Sequence, residues 1–250
     1  MSVSARYTKE LRERFGYSAT WFPTARIRLG DVGRMAGYQF DRLGGLADFG
    51  VRFESRGSEA IGTIEYASAG GVEVLVGGAA VATSGSWTAP AGATVSITFS
   101  REAAVWFQAE DCAVEAIEDL LALEAEILAL NDAGDWEDDL VVVTEVIRAG
   151  QGTVLVSGAG QGGIDFSTEA AVPGATGRAG LRVTASRNIG TQVVGHGDLT
   201  PLFRAKGVRR RLLRRATLDT RLDGSPPLPR LPSEQLSAVF LGDVDYEHFA

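Results

Sequence analysis

Cysteine, histidine and methionine are scarce in this 250-residue chain, with one Cys, two His and two Met. Cys112 alone allows no internal disulfide and suits a reducing compartment. His196, in a Gly-His-Gly loop, and His248 have no metal-ligand spacing with each other or with Cys112. No run approaches the roughly 18 consecutive apolar residues that a transmembrane helix needs. The charged N-terminal residues Lys9, Glu10, Arg12, Glu13 and Arg14 have no apolar stretch behind them, so a secretory signal is not expected. Entry into a membrane would have to use strands or an interfacial helix. A basic surplus is missing too. The net charge of −8 argues against a general nucleic-acid binder, because phosphate neutralisation needs cations. No internal repeat is visible.

Catalytic spacing is absent as well. Gly158, Gly160 and Gly163 fit G-x-G-x-x-G after a strand, but IDFSTEA alternates as a strand where a dinucleotide site needs a helix. A β-hairpin turn accounts for these glycines better. The carboxylates between Glu115 and Glu126 follow helical spacing on a wet face, and Cys112 at a helix start suits packing. No acid-base pair or cofactor site is expected, and an enzyme on an unfamiliar fold is the weakest reading.

What the chain does have is alternation. With 45% hydrophobic and 22% charged residues it can bury the core of one large domain, and 31 glycines allow many turns. Residues 3 to 15 read as a short helix with Tyr7, Leu11 and Phe15 on one stripe and Arg6, Lys9, Arg12 and Arg14 outside. Residues 18 to 50 read as short strands and turns. Val72, Val74 and Val76, then Val95, Ile97 and Phe99, alternate with other residues as half-buried strands. Residues 113 to 130 read as a helix with Ile117, Leu120, Leu121, Ile127 and Leu128 on one face, ended by Asn131 and Gly134. A Val-rich strand from Leu140 to Ile147 follows. Val154 and Val156, then Ile164 and Phe166, alternate on either side of the glycine-rich turn.

Near the C-terminus, Arg209, Arg210, Arg211, Arg214 and Arg215 crowd into seven residues around Leu212 and Leu213. A solvated strand or helix end paired with acidic neighbours is the plain reading. An anionic-lipid contact, at about 1 kcal/mol per basic residue, and a target for an Arg-specific protease are the functional ones. The segment 223 to 232 has four of the eight prolines and reads as an extended linker. After it, SEQLSAVFL reads as a short helix capped by Ser233. Residues 222 to 250 carry five acids against Arg230 alone, so this tail is acidic. Leu236, Val239, Phe240 and Tyr246 are its candidate docking side chains.

The order of these elements resembles the bacterial gasdermins along nearly the whole chain. The residues that carry the resemblance are YTKELRERFGYSATWFPTARIRL with DRLGGLADFG, the acidic helix, Thr144-Glu145-Val146-Ile147, and the closing strand HGDLTPLFRAKGV. The resemblance implies an α+β fold: a twisted, largely antiparallel central sheet, long amphipathic hairpins, flanking helices and a short C-terminal tail as cap. Residues 1 to 215 would be the membrane-active domain, and 216 to 250 the Pro-rich linker and inhibitory tail. A protease, trypsin-like or caspase-like, would cut after Arg221, Arg230 or Arg215. The cytoplasmic monomer would then oligomerise on the inner membrane as a large β-barrel and kill the cell in defence against phage. Arg6, Lys9, Arg12, Arg209, Arg210, Arg211 and Arg214 are the candidate lipid contacts. Segments 72 to 82, 93 to 107, 153 to 172 and 181 to 194 are the candidate spanning strands. Where several of these proteins carry an acylated N-terminal cysteine, this chain has Ser2-Val3-Ser4-Ala5-Arg6, so the tail alone would hold the resting state. The alternative reading is a β-rich binding module that docks an acidic partner through its arginine cluster.

Overall fold

The computed structural model describes residues 3–21, 26–36, 39–81, 93–168, 181–212 and 237–243. In chain order the elements are α1 (Val3–Phe15), β1 (Ser18–Ala19), β2 (Asp31–Ala36), β3 (Gln39–Gly45), a 3-10 turn (Leu46–Phe49), β4 (Ser55–Ala67), β5 (Val72–Val76), β6 (Ala79–Val81), β7 (Thr94–Phe99), β8 (Val105–Ile117), α2 (Leu120–Ala133), β9 (Leu140–Ser157), β10 (Gly162–Thr168), β11 (Leu181–Arg187), β12 (Ile189–Leu212) and β13 (Ser237–Asp243). The chain is mostly antiparallel β-sheet with two α-helices, an α+β fold.

Two sheets share one strand order. In the larger, β4, β8, β9 and β12 lie side by side; in the smaller, β5, β7, β10 and β11 do. The chain runs from β4 into β5, β7 into β8, β9 into β10 and β11 into β12, so each strand of the smaller sheet continues its counterpart in the larger. Hydrogen bonds cross the junction. The Ser68 N–H donates to the Val105 carbonyl (2.9 Å), Ser100 to Gly71 (3.1 Å), Ala103 to Ser157 (2.9 Å), and Gly158 to Asn188 (2.9 Å). The two sheets are therefore one four-stranded band bent over on itself.

The smaller sheet is held on the larger by an apolar core. Val74, Val95, Ile97, Phe99, Ile164 and Phe166 pack on Trp106 and Leu155. On the opposite face of the larger sheet, Tyr7 and Leu11 of α1 pack on Phe107, Val154 and Leu199. Further along, α2 is capped by Asp119, whose side chain accepts the Ala122 N–H at 2.9 Å, and ends at Gly134 with φ 84°. Its Leu123 and Ile127 pack with Trp136, Leu140, Val142 and Val208.

Several expectations need correction. The helix begins at Leu120, because residues 113 to 117 and Cys112 belong to β8, where Cys112 is buried. Only Leu123 and Ile127 of α2 are buried, and Leu121 is 80% exposed. Pairing of 113 to 117 with β4 and β9 decides for a strand where the local pattern suits either period. The Val-rich strand runs on to Ser157. The segment after residue 236 is a strand, since Ser237–Asp243 finds an open edge to pair with. The Gly158 to Gly163 stretch is the bend itself, and β9 and β10 do not pair with each other among the described residues. There the backbones approach so closely that a Cβ on Gly158 would lie 3.0 Å from Gly190 Cα.

Candidate functional site

Each candidate spanning segment is broken in the folded chain. Gly77 and Gly78, both at positive φ, turn 72 to 82 into the β5–β6 hairpin, in which Val76 pairs with Ala79. Segments 93 to 107, 153 to 172 and 181 to 194 are interrupted at 100–104, 158–161 and Asn188, and residues 82 and 169–172 lie outside the described residues. Three of the four non-glycine residues with left-handed φ among the described ones sit in these breaks: Ala103 (54°), Gln161 (60°) and Asn188 (53°). A non-glycine residue held there costs about 1–2 kcal/mol, so the bend stores strain.

The pattern across the bend is more telling. Phe99 and Val105 are six positions apart, and so are their partners Gly162 and Val156, so the two central strands keep one register through the bend. The apolar positions also keep step. Val95, Ile97 and Phe99 share parity with Val105, Phe107 and Ala109; Val154 and Val156 share it with Ile164 and Phe166; Ile64 and Tyr66 share it with Val72, Val74 and Val76. In the folded chain these two halves pack on opposite faces of the larger sheet, one under α1 and one over Trp106 and Leu155. In a straight strand they would fall on one face, apolar except for Ser68 and Arg101 at the bend, because side chains alternate with period two.

The band has open edges. Among the described residues, β4 pairs only with β8, and β12 between residues 189 and 200 pairs only with β9. The far end of β12 is covered. There β13 pairs antiparallel with it from Lys206 opposite Asp243 to Leu212 opposite Ser237, which sets Val239 opposite Arg210 and Phe240 opposite Arg209. Leu236 and Tyr246 lie outside the described residues, as do Arg214, Arg215, Arg221 and Arg230. The last three fall in 213–236, the connection between the two paired strands.

Among the described residues the candidate basic residues lie on two separate elements, α1 and β12. On α1, Arg6 is held by Glu10 (3.0 Å), Lys9 by Glu13 (3.9 Å), and Arg12 donates to Ser18 Oγ (3.4 Å). Arg209, Arg210 and Arg211 lie on β12 beside β13, next to Val208 in the core cluster that α2 serves. The helix α1 serves a different cluster.

The chain matches no family model, and no curated protein matches it at a significant level. Its chemistry therefore has to be read from the side chains. Among the described residues no three His, Cys, Asp or Glu groups converge where a cation could be held. A cavity of about 300 Å³ lined by Trp21, Arg26, Phe40, Arg42 and Phe203 lies away from the bend. Its Arg42 is already bound to Asp31 at 2.7 Å, which raises its pKa above the ordinary value, and Arg26 is the other titratable side chain among its described lining residues.

Sequence reasoning passed over Glu10. Its carboxylate accepts the Tyr66 hydroxyl (3.0 Å) and Ser68 Oγ, and it pairs with Arg6 and, at 3.9 Å, with Arg101. Beside it, Tyr7 is fully buried with no partner for its hydroxyl among the described residues, and burial pushes its pKa well above the usual range. The signal was faint. Glu10 looks like one more charge on a wet helix face until Ser68 and Arg101 are known to lie next to it.

Proposed function

We propose that this protein is a gasdermin-like pore former, autoinhibited in the folded chain and released by proteolysis of its C-terminal connection. The observation that carries the reading is the shared parity and register of the central strands through the bend. Straightened, Thr94 to Ala109 and Gly152 to Thr168 become strands of 16 and 17 residues, each with one largely apolar face that Arg101 alone breaks with a charge. At about 3.3 Å per residue such strands reach about 50 Å, and about 9–11 residues suffice to cross a bilayer. Strands are admissible in lipid only when every backbone group is paired, which requires closure into a barrel. The open edges of β4 and β12 support closure by copies joined head to tail.

Residues 1–215 act as the membrane-active part and 216–250 as linker and inhibitory tail. The strand β13 occupies the edge of β12 beside Arg209 to Arg211. A cut after Arg221, Arg230 or Arg215 leaves it held by non-covalent contacts alone, without the effective concentration that the intact connection provides. Once β13 leaves, that edge and its arginines are free to meet a neighbouring copy and anionic lipid. The resulting pore kills the cell, as an anti-phage response requires, with an arginine-directed protease as activator.

The test compares the full chain with residues 1–221, following growth and dye entry in bacteria and leakage from dye-loaded anionic liposomes. Killing and leakage by the shortened chain alone support the reading. A folded, inert shortened chain refutes it and favours a β-rich module that docks an acidic partner through Arg209 to Arg211.

A further inference from the structure

The first hairpin is tied at its bend to the N-terminal helix through a single carboxylate. Glu10 is 15% exposed, and its partners come from both legs of the hairpin: Tyr66 and Ser68 on the outgoing leg, Arg101 on the returning one. Ser68 Oγ also accepts the Val105 N–H at 2.9 Å, so the same hydroxyl that donates to Glu10 binds the start of β8. Around this point Tyr7 and Leu11 are fully buried, and Phe15 meets Tyr66 edge to face at 6.3 Å. The apolar face of α1 thus covers Phe107 and Val154, the side chains that the straightened band would turn towards lipid.

We propose that α1 is a clasp on the bend: Glu10 fixes both legs of the first hairpin in the folded course, and the band straightens only when α1 lifts. This rests on the pore-forming reading for its consequence, though not for the contact itself. Glu10 is a positioning residue that acts through Ser68 and Arg101. Loss of its charge would give the donating Tyr66 and Ser68 hydroxyls a weaker acceptor and leave Arg101 without this ion pair, in a place where partly buried polar groups depend on their partners. The helix is held by side chains of its own.

The experiment uses the full chain as wild type, Glu10→Gln, Ser68→Ala, and Glu13→Gln as a control on the exposed Lys9 pair. Hydrogen exchange is followed by mass spectrometry, and leakage of anionic vesicles is followed before and after cutting at a protease site engineered into 223–232. The clasp predicts exchange about tenfold faster in 66–71 and 100–105 for Glu10→Gln and Ser68→Ala, with α2 and β2 unchanged and Glu13→Gln silent. It also predicts several-fold faster leakage once the variants are cut. Unchanged exchange at the bend in both variants, or a rise spread evenly over the chain, overturns it. If exchange rises at the bend while no cut form leaks, the clasp stands and the pore reading falls. If all cut forms leak at one rate and exchange is unchanged, the reverse holds.

Discussion

Neighbouring aromatic residues on β8 separate the folded state from the straightened one. Trp106 is 2% exposed, beneath the smaller sheet; Phe107 is fully buried on the other face, under α1. Replacing either by Ala costs the folded chain about 3–5 kcal/mol, transfer and cavity together. That is a large part of the roughly 5–15 kcal/mol by which a domain is stable. The two losses are alike in the folded chain and unlike in the band. Once straight, Phe107 lies on the apolar face and keeps about 2 kcal/mol of burial in lipid, whereas Trp106 lies on the polar face with Gln108 and Glu110 and gains little. Trp106→Ala therefore biases the chain towards the membrane form by its full cost, and Phe107→Ala by about 2 kcal/mol less. With 1.4 kcal/mol to each factor of ten, leakage should be about 30-fold faster for Trp106→Ala. Urea midpoints of the uncut chains establish equal loss, and dye release from anionic vesicles after cutting gives the rates. Leu155→Ala and Val154→Ala repeat the comparison on β9 at lower cost. If Phe107→Ala leaks as fast as Trp106→Ala at matched stability, the parity argument is wrong.

Further outcomes follow from the same geometry. Ala103→Gly removes a left-handed alanine, and after the entropy that glycine adds to the unfolded chain it should stabilise by up to about 1 kcal/mol, read as a higher urea midpoint and slower leakage. Proline at Val239 and Phe240 together removes a ladder N–H from β13, so the uncut chain should leak where wild type does not. Glu65, Glu73, Glu110 and Asp165 share the polar face, so the pore should prefer cations in a bilayer reversal-potential measurement, and Glu65→Gln with Glu73→Gln should move that potential towards zero.

The strand-rich, α+β character of the chain was legible from alternation alone, and so was α1, whose Tyr7, Leu11 and Phe15 repeat at helical spacing. The start of α2 was not, because Cys112 to Ile117 mixes small and apolar residues in a pattern that suits either period, and pairing with β4 and β9 decides it. Nor was the bend. Glycines at 158, 160 and 163 announce a turn but not whether the strands beyond pair with each other or continue side by side into a second sheet. The residues after 236 read as helix because no local signal marks a strand whose only reason is the free edge of β12. Glu10 shows the limit most plainly. Its partners other than Arg6 are 56, 58 and 91 residues away, and nothing local selects it from Glu13.

The central claim is that one band straightens with its apolar positions in step. Single cysteines from 94 to 109, in a Cys112→Ser background, can carry an environment-sensitive fluorophore in the cut protein on anionic vesicles, with quenchers in the lipid and in water. The account predicts lipid quenching at 95, 97, 99, 105 and 107 and aqueous quenching at 94, 96, 98, 106 and 108, with the alternation unbroken through 100–104. A reversal of phase at 100–104, or no lipid quenching at any odd position, would contradict it.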